Sequence, residues 1–284
     1  MLHSIKQLYR FLHPKYQNIF LDYHVKFKPR YGFGKPKHKQ LLEIINAQRD
    51  AYRRVLDTAL KFKNYFHSIQ SSENESNPLL PSWNNNFLPG LDIIGIYTIF
   101  YLIKPKHYVE VGSGNSTKVA RKAIIDHKLT TKITSIDPNP RTEIDALADV
   151  IIRLPFEDID PIEILQLEED DILFIDNSHR ILPNSDAMVF FMEVLPQLQK
   201  GVIVHLHDIY LPYDYPQFMC NRAYNEQYGL AFYLLANPQK YIPIFPAFFI
   251  SEDLELASTL EPIWDHFNLQ NVEKHGGSFW LRIA

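Results

Sequence analysis

Four acidic residues stand at or next to the ends of short apolar runs: Glu110 in H-Y-V-E-V, Asp137 after K-I-T-S-I, Asp176 after D-I-L-F-I and Asp208 after G-V-I-V-H-L-H. Each is followed by residues that can do chemistry. Glu110 leads through Val111 into Gly112, Ser113, Gly114, Asn115, Ser116 and Thr117. The glycines let the backbone turn sharply and approach a ligand with no Cβ in the way. Asp137 follows Gly114 by about the 20 residues at which a ribose-binding carboxylate is expected after such a loop. Asp176 continues as N-S-H, which puts His179 just past the acid. An imidazole with an ordinary pKa of about 6.5 is suited to take a hydroxyl proton.

Asp176, His207 and Asp208 together make an oxygen-and-nitrogen set for a divalent cation such as Mg²⁺, Mn²⁺ or Fe²⁺. A cation there would orient a hydroxyl and lower its pKa. The alternative is that these groups hydrogen-bond loop backbones and line a ligand site. The stretch D-I-Y-L-P-Y-D-Y-P after Asp208 is too rich in proline and aromatics for a central strand. It offers Tyr210, Tyr213 and Tyr215 as walls of an acceptor pocket, or as ordinary loop packing.

Alternating elements must position these groups. Runs of strand length at Lys132–Asp137, Val150–Leu154, Asp171–Ile175 and Gly201–Leu206 alternate with helical stretches, among them Asp186–Leu195. Leu91–Ile103 reads as an apolar helix beside the first strand, and Tyr224–Leu235 as a later helix; Tyr241–Phe249 and Ser278–Ile283 read as two late strands. Such alternation predicts a doubly wound α/β fold with a mostly parallel sheet of about seven strands, whose carboxyl ends share one crevice.

The remainder of the chain reads differently. Residues 1–63 hold 14 Lys+Arg against 4 Asp+Glu, although the whole chain of 284 residues carries −4. Residues 22–39 interleave aromatics and cations with Gly and Pro, which predicts an irregular segment. It can lie on the acidic remainder or a neighbouring subunit, grip a substrate, or bind nucleic acid. Gln40 to His67 predicts a cap or dimerisation helix, and S-S-E-N-E-S-N-P-L-L-P over 71–81 a linker. The division expected is a basic N-terminal helical and irregular extension over 1–81 and a catalytic domain over 82–284. A single cysteine, Cys220, excludes an internal disulfide and favours a reducing compartment. The opening M-L-H-S-I-K-Q-L-Y-R-F-L is too broken by polar residues for a signal peptide, and no run is apolar enough to span a membrane. These features predict a cytoplasmic protein, with a homo-oligomer left open.

Taken in order, E-V-G-S-G-N-S-T, S-I-D-P-N-P, D-I-L-F-I-D-N-S-H and V-H-L-H-D-I-Y-L-P-Y-D-Y-P resemble the class I S-adenosylmethionine-dependent methyltransferases, in a bacterial O-methyltransferase-like branch, over roughly residues 86–284. The resemblance implies a seven-stranded Rossmann-like sheet and S-adenosylmethionine held by Glu110, Gly112, Ser113, Gly114, Asn115, Ser116 and Thr117. Asp137 would take its ribose, with Phe156 and Glu157 near the adenine. It further implies His179 and Asp176 as catalytic residues and a divalent metal at Asp176 and Asp208, to which the residue reading above adds His207. The acceptor would be a hydroxyl on a sugar, glycoside or other small natural product, against Tyr210, Tyr213 and Tyr215. Asn177 after the first acid and His207 before the second depart from the common pattern. Two other readings compete. A nicotinamide-dependent oxidoreductase would want glycine where Thr117 stands. A non-catalytic nucleic-acid-binding protein would use the basic arm, against the repulsion of the acidic strand ends.

Overall fold

The computed structural model describes residues 9, 11–14, 16–140 and 144–284. Most of the opening segment weighed as a signal peptide, residues 1–8 and 10, therefore lies outside the described residues. Strands β1 (His107–Val111), β2 (Lys132–Ile136), β3 (Val150–Ile152), β4 (Ile172–Ile175), β5 (Ile203–Leu206), β6 (Tyr241–Pro246) and β7 (Phe279–Ile283) form one sheet, in the order β3-β2-β1-β4-β5-β7-β6. β1 to β5 pair in parallel, and β7 runs antiparallel to both β5 and β6. The expected mostly parallel, seven-stranded, doubly wound sheet is thus present.

β1 lies between β2 and β4, so the strand order reverses there. A parallel sheet opens a crevice at such a switch point, outside the carboxyl ends of its strands. β4 (I-L-F-I) and β5 (I-V-H-L) are buried along their whole length, as central strands covered on both faces must be. β6 is an edge strand and tolerates Pro243, beside which its register shifts. It ends at Pro246, where the sequence reading carried it to Phe249. Ala247 donates its N–H to the Ser278 carbonyl at 2.8 Å, and Ala247–Glu252 turns into a helix instead.

The helix expected over 40–67 is broken into α1 (Lys39–Asn46), α2 (Arg49–Ala59), a 3₁₀ turn and α3 (Lys63–Ser68). The break falls at Ala47–Gln48, within one uninterrupted apolar periodicity. Buried Tyr52 crosses it, donating its hydroxyl at 2.7 Å to the Ile45 carbonyl, which also accepts the Gln48 N–H at 3.2 Å. Leu41, Ile45, Tyr52, Val55, Leu56 and Phe66 join the same hydrophobic core as the sheet. α4 (Gly90–Ile103) is buried on nearly all sides and stops at Lys104, which adopts a left-handed conformation at φ 55°.

After β1, α5 (Asn115–Asp126) starts directly behind the glycine loop. The stretch expected as one helix over 186–195 is a short α-helix, Asp186–Val189, followed by a wider π turn over Phe190–Val194. α6 (Glu226–Ala236) matches the later helix. Residues 71–81 close a loop whose ends meet: Ser72 donates to the Trp83 carbonyl at 2.8 Å and Trp83 to that of Gln70 at 2.9 Å. Within 22–39 the described chain is irregular up to α1, as its composition predicts. Among the described residues no helix is long and apolar enough to cross a membrane.

Candidate active site

The glycine loop is built around a buried carboxylate. Glu110 is fully buried and accepts hydrogen bonds from the hydroxyls of Tyr108 at 3.0 Å, Ser116 at 2.5 Å and Thr117. Burial pushes its pKa up to about 7 against the pull of those donors. Thr117 also accepts the Gly114 N–H at 3.0 Å. Glu110 and Thr117, both fully buried, therefore tie the loop to the start of α5, which gives a threonine a use where a dinucleotide fold wants glycine.

Gly112 has φ +82°, and a Cβ there would lie 1.9 Å from the Asp176 carbonyl oxygen. No other residue fits. Gly114 is extended, and a Cβ on it would meet nothing within 4 Å, because its α-carbon borders an open recess. Asp137 accepts the Ser113 N–H at 3.0 Å and the Asn139 N–H at 2.8 Å, so the second strand end is locked to the first loop.

These residues surround two cavities that share a wall. One, of about 360 Å³, is lined by Gly112, Ser113, Asp137, Phe156, Glu157 and Asn177, with Asp176 at its edge. A small recess beside it is bordered by Ser113, Gly114, Asn115, Ser116 and again Asp176. The other cavity, of about 630 Å³, contains Asp176, His179, His207, Asp208 and Tyr210. Asp176 is common to all three. The Asn177 amide nitrogen is buried without a hydrogen-bond partner beside the first cavity. An orphaned donor, the Gly114 recess and the Asp137 carboxylate fit an elongated polar ligand such as an adenosyl amino acid.

Four titratable side chains converge at the boundary. The His179 Nε2 lies 3.6 Å from Asp176 and 3.5 Å from Asp208, and its Nδ1 lies 2.5 Å from Glu226. Both His179 and Asp208 adopt left-handed backbone conformations, at φ 61° and 55°, uncommon for residues with a Cβ. Burial alone would lower the His179 pKa; the Glu226 carboxylate, with Asp176 and Asp208, outweighs it and holds the group at about 9. Burial pushes Glu226 up to about 7, with His179 pulling it back. The expectation of an imidazole near its ordinary pKa is thus corrected: His179 carries a proton at neutral pH.

His207 is placed similarly. Its Nε2 lies 3.1 Å from Asp92, and its Nδ1 3.6 Å from Asp176 and 3.8 Å from Asp208. Burial opposes charge on it, but the Asp176, Asp92 and Asp208 carboxylates hold its pKa well above the ordinary value. This decides how the expected metal set stands. Asp176, His207 and Asp208 do come together, yet among the described residues no group of three or more His, Cys, Asp or Glu is arranged to hold a metal ion. The two imidazolium rings supply the positive charge that converging carboxylates demand. His205, two residues earlier, packs against Trp280 with ring centroids 3.8 Å apart and takes no part.

Of the three tyrosines, only Tyr210 lines the larger cavity. Tyr215 is fully buried, its hydroxyl accepting the Gln227 N–H at 3.1 Å, and Tyr213 packs on Phe33 and Phe248. The loop folds inward, so both belong to a second apolar cluster with Met219, Tyr224 and Phe248. Other walls come from Phe33, Phe87, Tyr224 and Phe248. The irregular basic segment thereby reaches the cavity: Arg30 donates its N–H to Asp214 at 2.8 Å, and Asp214 donates its own to the Tyr31 carbonyl at 3.1 Å. Asp92 is a charged group that the sequence reading left without a role, whereas Glu226, which reads as a helix-capping or pocket residue, pairs with His179. Asp92 accepts the N–H groups of Gly277 and Ser278, at 2.8 and 2.9 Å, besides facing His207.

A family profile described as a methyltransferase domain matches residues 109–209, the segment from β1 to just past Asp208. The matched segment, about a third of the chain, holds the glycine loop, Asp137, Asp176 and Asp208, the residues on which the methyltransferase resemblance rests. It is similar to the apo structure of CmcI-N160 at 16% identity, over 69% of this chain and 72% of that one, with a TM-score of 0.41. It is also similar to the O-methyltransferase from Bacillus cereus in complex with SAH, at 11% identity over 87% and 96% of the two chains, TM-score 0.41. A third similar structure is the SAH-bound Podospora anserina methyltransferase PaMTH1, at 14% identity over 89% and 100%, TM-score 0.42. No curated protein matches the chain.

Proposed function

We propose that this methyltransferase acts on a hydroxyl of a sugar, glycoside or similar small natural product. One observation carries the reading: Asp176 lines both the cavity bounded by Gly112 and Asp137 and the aromatic-walled cavity that contains His179 and Asp208. A donor in the first and an acceptor in the second would meet at that side chain.

Gly112–Ser116 would hold the amino-acid end of the cofactor and Asp137 the ribose hydroxyls, with Phe156 and Glu157 beside the base. Bound S-adenosylmethionine supplies an electrophilic methyl group and a positive charge. Asp176 and Asp208 would accept hydrogen bonds from neighbouring hydroxyls of the acceptor and hold the reacting oxygen at the shared wall with its own O–H turned to His179, so that alignment provides much of the rate. Once His179 has lost its extra proton, the form that grows as pH rises toward 9, Glu226 on Nδ1 fixes the tautomer and leaves the Nε2 lone pair to receive the hydroxyl proton. Aromatic walls with a few convergent carboxylates suit a hydroxylated ring: flat faces cover its C–H surface, and acids accept from its hydroxyls.

The test is calorimetry with S-adenosylhomocysteine followed by a screen of glycosides with isotopically labelled methyl donor. Binding lost in Gly112→Val and label transferred to a hydroxyl support the reading. Label carried only to nitrogen or carbon acceptors refutes the O-methylation; no binding refutes the assigned cofactor cavity.

A further inference from the structure

The larger cavity gathers Asp176 and Asp208 with the His179 and His207 rings at its reacting end, and holds one further cation beside Tyr224. Arg222 is the single lysine or arginine among its described lining residues. Its guanidinium lies over the Tyr224 ring, 4.5 Å from the centroid, and Arg180 approaches the same ring at 5.8 Å. Neither arginine has a carboxylate within 4.0 Å among the described residues, whereas Arg49, Arg53, Arg121, Arg153 and Arg282 all do. The placement is built. Arg180 donates from Nε to the Arg222 carbonyl at 2.9 Å, Ala223 turns the chain at φ 56°, and Asn225 donates its N–H to the His179 carbonyl at 3.0 Å. A guanidinium stacked flat on an aromatic ring keeps its N–H fork free at the edge, the geometry that grips a planar or tetrahedral oxyanion.

Tyr224 joins Arg222 to the reacting end. Its ring stacks on His179 with centroids 4.5 Å apart at 26°. Arg222 and His179 each lie 4.5 Å from the Tyr224 centroid, so an oxyanion held by Arg222 would stand in the same cavity as the reacting hydroxyl, beside the ring that both groups share.

We propose that Arg222, steadied by Tyr224 and Arg180, is an anion subsite, and that the acceptor carries a carboxylate or phosphate besides the methylated hydroxyl. The inference rests on the O-methyltransferase reading and narrows its acceptor class. Near-identical probes test it: methyl β-D-glucopyranoside, methyl β-D-glucuronide and the 6-phosphate of the neutral glycoside, each titrated by calorimetry into protein loaded with S-adenosylhomocysteine. One anionic probe should bind at least about tenfold more tightly than the neutral one, the range of a charge-assisted hydrogen-bond pair. The preferred probe tells carboxylate from phosphate. Arg222→Ala should erase the preference, and Arg222→Lys, which keeps the charge but loses the fork, should restore it only in part. Equal affinities, binding of none, or a preference unchanged in Arg222→Ala would overturn the subsite. Affinity for S-adenosylhomocysteine, measured in the same samples, separates that outcome from a failure of the cofactor assignment.

Discussion

Replacing Glu226 by glutamine removes one charge from the candidate base while keeping an acceptor for its Nδ1 proton. In the native arrangement Glu226 lies 2.5 Å from His179, whose pKa stands at about 9 against an ordinary 6.5. Two unit charges about 4 Å apart at an effective dielectric of about 20 interact by roughly 4 kcal/mol, equivalent to about three pH units. Asp176 and Asp208 remain in the variant and still favour the charged ring, so the midpoint should fall by about two pH units, toward neutrality. The assay is NMR titration of ¹³C-labelled histidine, with the His179 resonance assigned by its absence in His179→Gln. The pH profile of methyl transfer should follow. If neutral His179 takes the proton, the native rate rises toward pH 9 and that of Glu226→Gln levels off nearer neutrality. Stability has a matching sign. A folded-state pKa raised to about 9 stabilises the fold fully below 6.5, and that contribution is lost as pH rises through 9. An unchanged His179 midpoint in Glu226→Gln would refute the pairing.

Three further outcomes are expected. Gly112→Val should abolish S-adenosylhomocysteine binding and lower the melting temperature, since its Cβ would lie 1.9 Å from the Asp176 carbonyl; calorimetry with retained affinity would contradict the loop geometry. Tyr215→Phe should cost about 1–3 kcal/mol in denaturant unfolding, by leaving the buried Gln227 N–H without its acceptor. Acceptor KM should not change there, whereas Tyr210→Ala, in the cavity wall, should raise it. Titration with Mn²⁺ should leave the free-ion EPR signal at full intensity, because imidazolium rings already balance Asp176 and Asp208. Stoichiometric loss of that signal, abolished by Asp176→Asn, would show that a cation displaces the rings.

The acids at the strand ends were legible because a parallel strand advertises itself: an apolar run stops, and the residue at its carboxyl end faces the crevice. That logic finds Asp137, Asp176 and Asp208, and also Glu110, though it does not tell which way Glu110 points. Its orientation depends on Ser116 and Thr117, whose hydroxyls turn inward once α5 forms. Asp92 and Glu226 pair with partners that escape the sequence for another reason. Each sits in the first turn of a helix, where an acid ordinarily favours the helix dipole. Their partners lie far along the chain, Gly277 and Ser278 for Asp92 and His179 for Glu226. The break between α1 and α2 is invisible because apolar periodicity continues through it, and the bonds that hold it, from the Gln48 N–H and the Tyr52 hydroxyl to the Ile45 carbonyl, leave no pattern in the sequence. Tyr213 and Tyr215 carry the composition of a binding loop, but a proline-rich loop can bury its aromatics as readily as present them.

The central claim, that donor and acceptor meet at Asp176, is tested most directly by a crystal structure with S-adenosylhomocysteine. The account predicts the adenosine in the cavity of about 360 Å³, its ribose on Asp137, and its sulfur at the Asp176 wall facing His179 across the larger cavity. A cofactor bound elsewhere, or one whose sulfur points away from His179 and Asp208, would contradict it.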